Sequence, residues 1–186
     1  DGALLFSADS GRSFTARPIE GGGERPPTLD IEQSSGQNDP EGPPPILRCI
    51  QTAADENLRW RKINDMDLFL PVRDGDGLEL GDPIRIADKC LGLSSHSGPP
   101  SSLASRGSRV HMAWGEATEP DADVPGVPAY VATYDRATGT LGDPVLVGYG
   151  PPANDVHNTP SITIDGQGYL HVVVGTHGSP FVYARS

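Results

Sequence analysis

Two stretches of the chain repeat one another, each opening on a histidine, and their spacing restricts the fold more than any bulk property does. The first runs His96-Ser97-Gly98-Pro99 and then, past a small turn, Arg109-Val110-His111-Met112-Ala113-Trp114-Gly115. The second runs His157-Asn158-Thr159-Pro160, then Asp165-Gly166-Gln167-Gly168, then Tyr169-Leu170-His171-Val172-Val173-Val174-Gly175. The opening histidines stand 61 positions apart (157 − 96), and the next His follows after 15 and 14 positions (111 − 96; 171 − 157). A period of this size, assembled from short strands, marks a repeat architecture in which each unit buries its apolar face against the next.

The strand signals fit that reading. In the third unit they fall near Ser101–Ala104, Val110–Trp114, Tyr130–Tyr134 and Pro144–Val147, with a hairpin turn over Arg136–Gly142. The fourth supplies Ser161–Ile164, Tyr169–Val174 and Phe181–Arg185. Earlier runs are Ile46–Ile50, Asp65–Val72 and Pro83–Ala87, with one short strand near Leu29-Asp30-Ile31. Four short strands per unit predict an all-β fold, a β-propeller of four-stranded antiparallel blades. The whole chain, 1–186, reads as part of one such domain, with blade pieces near 1–20, 26–88, 89–149 and 150–186 and a Gly/Pro/Glu-rich loop or insertion near 20–45. Two full and two half blades make a partial propeller, which predicts open sheet edges and an oligomeric or poorly soluble piece. Ala53–Arg61 is the one stretch with helical periodicity.

Composition agrees. Gly 23 and Pro 19 argue for many turns, and a hydrophobic fraction of 35% argues against long buried helices. The formal net charge of −11 disfavours nucleic acid and anionic membranes as partners. No apolar run reaches the length of a membrane span. The chain does not open on Met, so its compartment is not read from its start. Cys49 and Cys90 read as half-buried thiols, with a disulfide as the alternative in a secreted protein. The Cys/His spacing matches no zinc site, and the acidic turn Arg73-Asp74-Gly75-Asp76-Gly77 lacks a full calcium loop. No metal or cofactor is expected.

Ser7-x-Asp9-x-Gly11-x-Ser13-Phe14 resembles the Asp box of the bacterial neuraminidase repeat. Asp9 can accept the backbone N–H groups of a tight turn, and Gly11 allows a positive φ. Phe14 is expected to plug the hairpin base against a neighbouring strand. The resemblance implies that the box joins the third and fourth strands of a blade and is structural.

The histidines divide into two groups. His111 and His171 occupy matching mid-strand positions and predict a repeated packing or hydrogen-bonding role. His157 and His177 belong to connections of one unit, 20 residues apart (177 − 157), and are the catalytic candidates. Asn158 and His96 are the substrate-binding candidates, His96 because it matches His157 by repeat position.

The run Asn154–Ile162, continuing through Asp165–Val172, Gly175-Thr176-His177 and Phe181–Ser186, resembles the neuraminidase-repeat family that includes propeller-type ulvan lyases. That resemblance implies an extracellular or periplasmic bacterial protein cleaving an acidic, uronate-containing polysaccharide by β-elimination. It implies a pair of site histidines, matched here by His157 and His177. Family members also use a Tyr and an Arg further downstream, and Tyr183 and Arg185 stand too close to His177 to be equated with them. The residue types suit the chemistry: a base must take the proton beside a carboxylate, and hydrogen-bond donors must tolerate the enolate-like transition state. A sialidase-like hydrolase is the enzymatic rival, although the arginines are scattered. A non-catalytic glycan-binding propeller, with aromatics such as Trp60, Trp114, Tyr130 and Tyr169 stacking on sugar, is the third reading.

Overall fold

The computed structural model describes residues 2–19, 26–33, 42–53, 63–93, 101–118, 123–151, 156–175 and 178–186. These form an all-β structure of discrete antiparallel sheets, with no α-helix among the described residues. Sheet 1 is the hairpin β1 (Gly2–Phe6) and β2 (Thr15–Ile19). Sheet 2 holds β3 (Thr28–Ile31), β4 (Ile46–Ala53) and β5 (Ile63–Phe69). The chain then leaves for a small hairpin, β6 (Val72–Asp74) and β7 (Gly77–Glu79), before β8 (Ile84–Cys90) returns to pair with β5. Sheet 3 holds β9 (Leu103–Arg106), β10 (Arg109–Gly115) and β11 (Pro128–Asp135), and β11 pairs with both β12 (Thr140–Leu141) and β13 (Val145–Tyr149). Sheet 4 is β14 (Ser161–Ile164), β15 (Leu170–Val174) and β16 (Val182–Arg185).

Alternation along each strand decides which sheet faces which. In β10, Val110, Met112 and Trp114 point toward sheet 2, where they meet Leu47, Met66, Leu68 and Cys90 in the largest core. The opposite face of sheet 3 presents Ala113 and Val131 to Ile162 and Val172 of sheet 4. Sheet 1 covers Ile46 and Phe69 of sheet 2 with Leu4 and Ile19. The apolar clusters therefore join consecutive sheets, so each sheet buries what its predecessor leaves open. Trp114 is fully enclosed and stacks on Tyr130 at 5.9 Å between ring centroids.

The first strands of successive sheets lie side by side. Ser101 accepts the N–H of Ile162 at 2.8 Å, and its hydroxyl donates to the Ile162 carbonyl at 3.4 Å, a contact spanning 61 residues, the sequence period itself. Arg106, ending β9, donates to the Asp165 and Gly166 carbonyls in the turn opening β15.

Several expectations change in detail. The expected strand Asp65–Val72 ends at Phe69, because Pro71 cannot donate to the ladder, and Val72 starts a separate hairpin. Ala53 closes β4 rather than opening a helix, and 54–62 lie outside the described residues. The Asp-box turn forms as the sequence suggests: Asp9 Oδ1 accepts the N–H groups of Arg12 and Ser13 at 3.0 and 2.9 Å. Ser10 and Gly11 adopt φ of 61° and 84°. Phe14, however, remains 61% exposed and does not plug the hairpin. Cys49 and Cys90 are free, fully buried thiols rather than half-buried ones, with their Sγ atoms 3.8 Å apart and Met66 Sδ 4.0 Å from Cys90. The contact with Cys90, and then burial, push the Cys49 thiol up.

Candidate functional site

Strand direction alternates within every sheet, so strand ends collect along two rims. One rim carries the start of β9, the end of β10, the start of β11 and the end of β13 in sheet 3. The corresponding ends of β8 and β15 meet the same rim. Leu91, just past β8, donates its N–H to the Gly115 carbonyl at 2.9 Å, and Thr159 donates its hydroxyl to the Gly92 carbonyl at 3.2 Å.

His157 sits on this rim. It occupies a single 3₁₀ turn, Val156–Asn158, between β13 and β14 and is half-buried. The turn is held by close backbone approach. Asn158 is 1% exposed and rests among Gly115, Gly150 and Gly175. A Cβ placed on Gly175 would lie 2.5 Å from both the Asn158 carbonyl carbon and the Thr159 oxygen. One on Gly150 would lie 3.0 Å from the Gly175 oxygen and 3.5 Å from Asn158 Cβ, and one on Gly126 would run into the Gly150 carbonyl. Only glycine allows these chain segments to touch, and the contact fixes where His157 emerges. The sequence offered a signal for this seam in Gly115 and Gly175, which end the repeated strands.

His96 and His177 lie outside the described residues, as does Trp60. The strands flanking them in the chain, β8 with β9 and β15 with β16, have the ends concerned on the rim that carries His157. Asn158, expected to offer its amide to a carboxylate, is placed on the floor of this rim rather than at its surface.

His111 and His171 do share a role. His111 Nδ1 lies 2.8 Å from Thr133 Oγ1, and His171 Nδ1 lies 2.6 Å from Tyr183 Oη, each on the neighbouring third strand of its sheet. Burial holds His111 down at about 4, keeping the imidazole neutral between sheets 3 and 4. His171 Nε2 also meets Asp165 Oδ2 at 3.0 Å, and that contact leads the interactions lowering Asp165 to about 2. Asp165 further accepts the N–H groups of Gln167 and Tyr169, shaping the turn between β14 and β15.

Among the described residues the arginines do not converge. Arg48 and Arg85 both hold Asp67, at 3.0 and 2.7 Å, and Arg85 also holds Asp65 at 2.7 Å. Arg185 lies over the Tyr169 ring at 4.0 Å. Among the described residues no group of three or more His, Cys, Asp and Glu side chains gathers as a metal site, and no helix is long and apolar enough to cross a membrane.

Residues 129–186, covering β11 to the end of sheet 4, match the family model described as a BNR repeat-containing family member. This is a partial neuraminidase-repeat likeness, centred on the His157 rim and sheet 4. Comparison with curated proteins and with solved structures returns no match.

Proposed function

We propose that the chain is part of a β-propeller whose rim bearing His157 acts on an acidic, uronate-containing polysaccharide as a β-eliminating lyase. The observation that carries this reading is the glycine-clamped turn that presents His157 on the rim where the flanking strand ends of the His96 and His177 connections also lie. His157 takes the proton beside the uronate carboxylate, and His177 stabilises the charge that develops. His96 borders the bound sugar, and the buried Asn158 anchors the His157 turn beneath it. The neuraminidase-repeat likeness over 129–186 supports a carbohydrate ligand. The engaged arginines Arg48 and Arg85 speak against a sialate-carboxylate cluster.

The test is the absorbance of unsaturated uronate ends on ulvan and related polymers. Loss of a positioned base costs about 10²–10⁴ in rate, so His157→Ala and His177→Ala should nearly abolish the signal with an unchanged circular dichroism spectrum. Wild-type turnover in both variants refutes the assignment. A second reading, glycan binding without chemistry, is favoured by the exposed aromatics Phe181 and Tyr183 at and beside the start of β16 and Tyr169 at the opposite end of sheet 4. Retention on immobilised polymer without unsaturated ends would establish it.

A further inference from the structure

Asp30 and Glu32 are buried carboxylates, 1% and 3% exposed, at the seam between sheets 2 and 3. Asp30 Oδ2 accepts the Ser102 N–H at 2.6 Å, and Glu32 Oε1 accepts the Ser105 N–H at 3.3 Å. Each carboxylate thus spends one oxygen on the first strand of the next sheet. Among the described residues the remaining oxygens, Asp30 Oδ1 and Glu32 Oε2, have no partner, and neither have the enclosed hydroxyls of Ser102 and Ser105. Each hydroxyl lies three bonds from the nitrogen that holds a carboxylate, and Asp30 and Glu32, two positions apart, are close enough for the charge of one to act on the other. Burying such groups without partners is costly, and burying two neighbouring carboxylates together is costlier still.

We propose that Asp30 and Glu32 bind one calcium ion between sheets 2 and 3, with a neighbouring serine hydroxyl as a further donor. The donors are all hard oxygens, which excludes the soft metals that prefer sulfur and nitrogen. Magnesium demands near-ideal octahedral geometry, which carboxylates already held by the Ser102 and Ser105 N–H groups do not offer, whereas calcium accepts six to eight oxygens, waters included, in flexible geometry. The ion satisfies both carboxylates and ties β3 to β9 at the seam. Glu32 is held in register by its own N–H, which donates to the Pro45 carbonyl at 3.0 Å.

The experiment strips the protein with EDTA and titrates calcium by calorimetry, with terbium luminescence as a second readout. One saturable site and a raised melting temperature are expected. Asp30→Asn keeps an acceptor for Ser102, and Glu32→Gln keeps one for Ser105. Each should weaken binding by roughly tenfold or more, and Asp74→Asn/Asp76→Asn in the β6–β7 turn should leave it unchanged. Absence of saturable binding to the wild-type protein overturns the proposal and leaves ordered water as the seam's filler. Unchanged affinity in Glu32→Gln, or loss of the site in the turn variant, overturns it equally, whether or not Asp30→Asn folds.

Discussion

Replacing Asp30 with Asn should change how stability depends on pH far more than it changes the fold. Burial pushes the Asp30 carboxyl up to about 7, with Glu32 adding to the rise and the Ser102 N–H opposing it. The native state therefore holds a proton that the unfolded chain, titrating near 3.8, has released. The resulting stability is complete below the unfolded value and is lost as pH rises through about 7. Over that whole range it amounts to about 4 kcal/mol, and between pH 5 and 8 to about 2–3 kcal/mol. His111 works the other way. Its pKa falls from 6.5 to about 4, so its contribution is complete above 6.5 and is lost as pH falls toward 4, about 3 kcal/mol in all. The two nearly cancel between pH 4 and 6.5, which predicts a flat wild-type profile there and a decline from 6.5 to 8. Asp9 and Asp165, both lowered to about 2, lose their contributions below 3.8, outside this window. Urea unfolding in EDTA at half-unit steps from pH 4.5 to 8 separates the terms. The wild-type-minus-Asp30→Asn difference should fall by about 2–3 kcal/mol from pH 5 to 8. Parallel profiles for the two proteins would refute the reasoning.

Other substitutions probe the remaining structure. Gly175→Ala forces a methyl against the Asn158–Thr159 backbone and should destabilise by about 1–3 kcal/mol, read as a lower urea midpoint, with any elimination activity falling as the His157 turn shifts. His111→Gln should remove the opposing contribution, so that the flat profile becomes one in which stability falls by about 2–3 kcal/mol as pH rises from 4.5 to 6.5, seen in the same urea series. Trp114→Ala empties the main core and should cost about 3–5 kcal/mol, measured by thermal unfolding.

The strand pattern was legible because the repeat fixes both period and parity. Val110, Met112 and Trp114 alternate with His111 and Ala113, and that alternation became the two faces of sheet 3. The pairing of His111 and His171 with hydroxyls was legible as a repeated role, since equivalent positions meet equivalent neighbours. What stayed hidden depends on contacts between distant segments. Nothing local marks Asp30 and Glu32 as buried, because the groups that hold them come from 72 and 73 residues away. Phe14 misled because an aromatic after a turn looks like a plug, yet the hairpin beside it has only two strands to cover. The His157 turn was visible as a motif, but its rigidity comes from four glycines, Gly115, Gly126, Gly150 and Gly175, spread over 60 positions (175 − 115).

The stacking of each sheet on its sequence neighbour also governs how damage spreads. The three apolar clusters couple sheet 1 to 2, 2 to 3 and 3 to 4, so the molecule behaves energetically as a short one-dimensional chain of units. A defect at Ile19 and one at Val172 lie in clusters that share no residue, and their costs should simply add. Sheets 2 and 3, each engaged on both faces, are the links through which any change at one end must pass to be felt at the other.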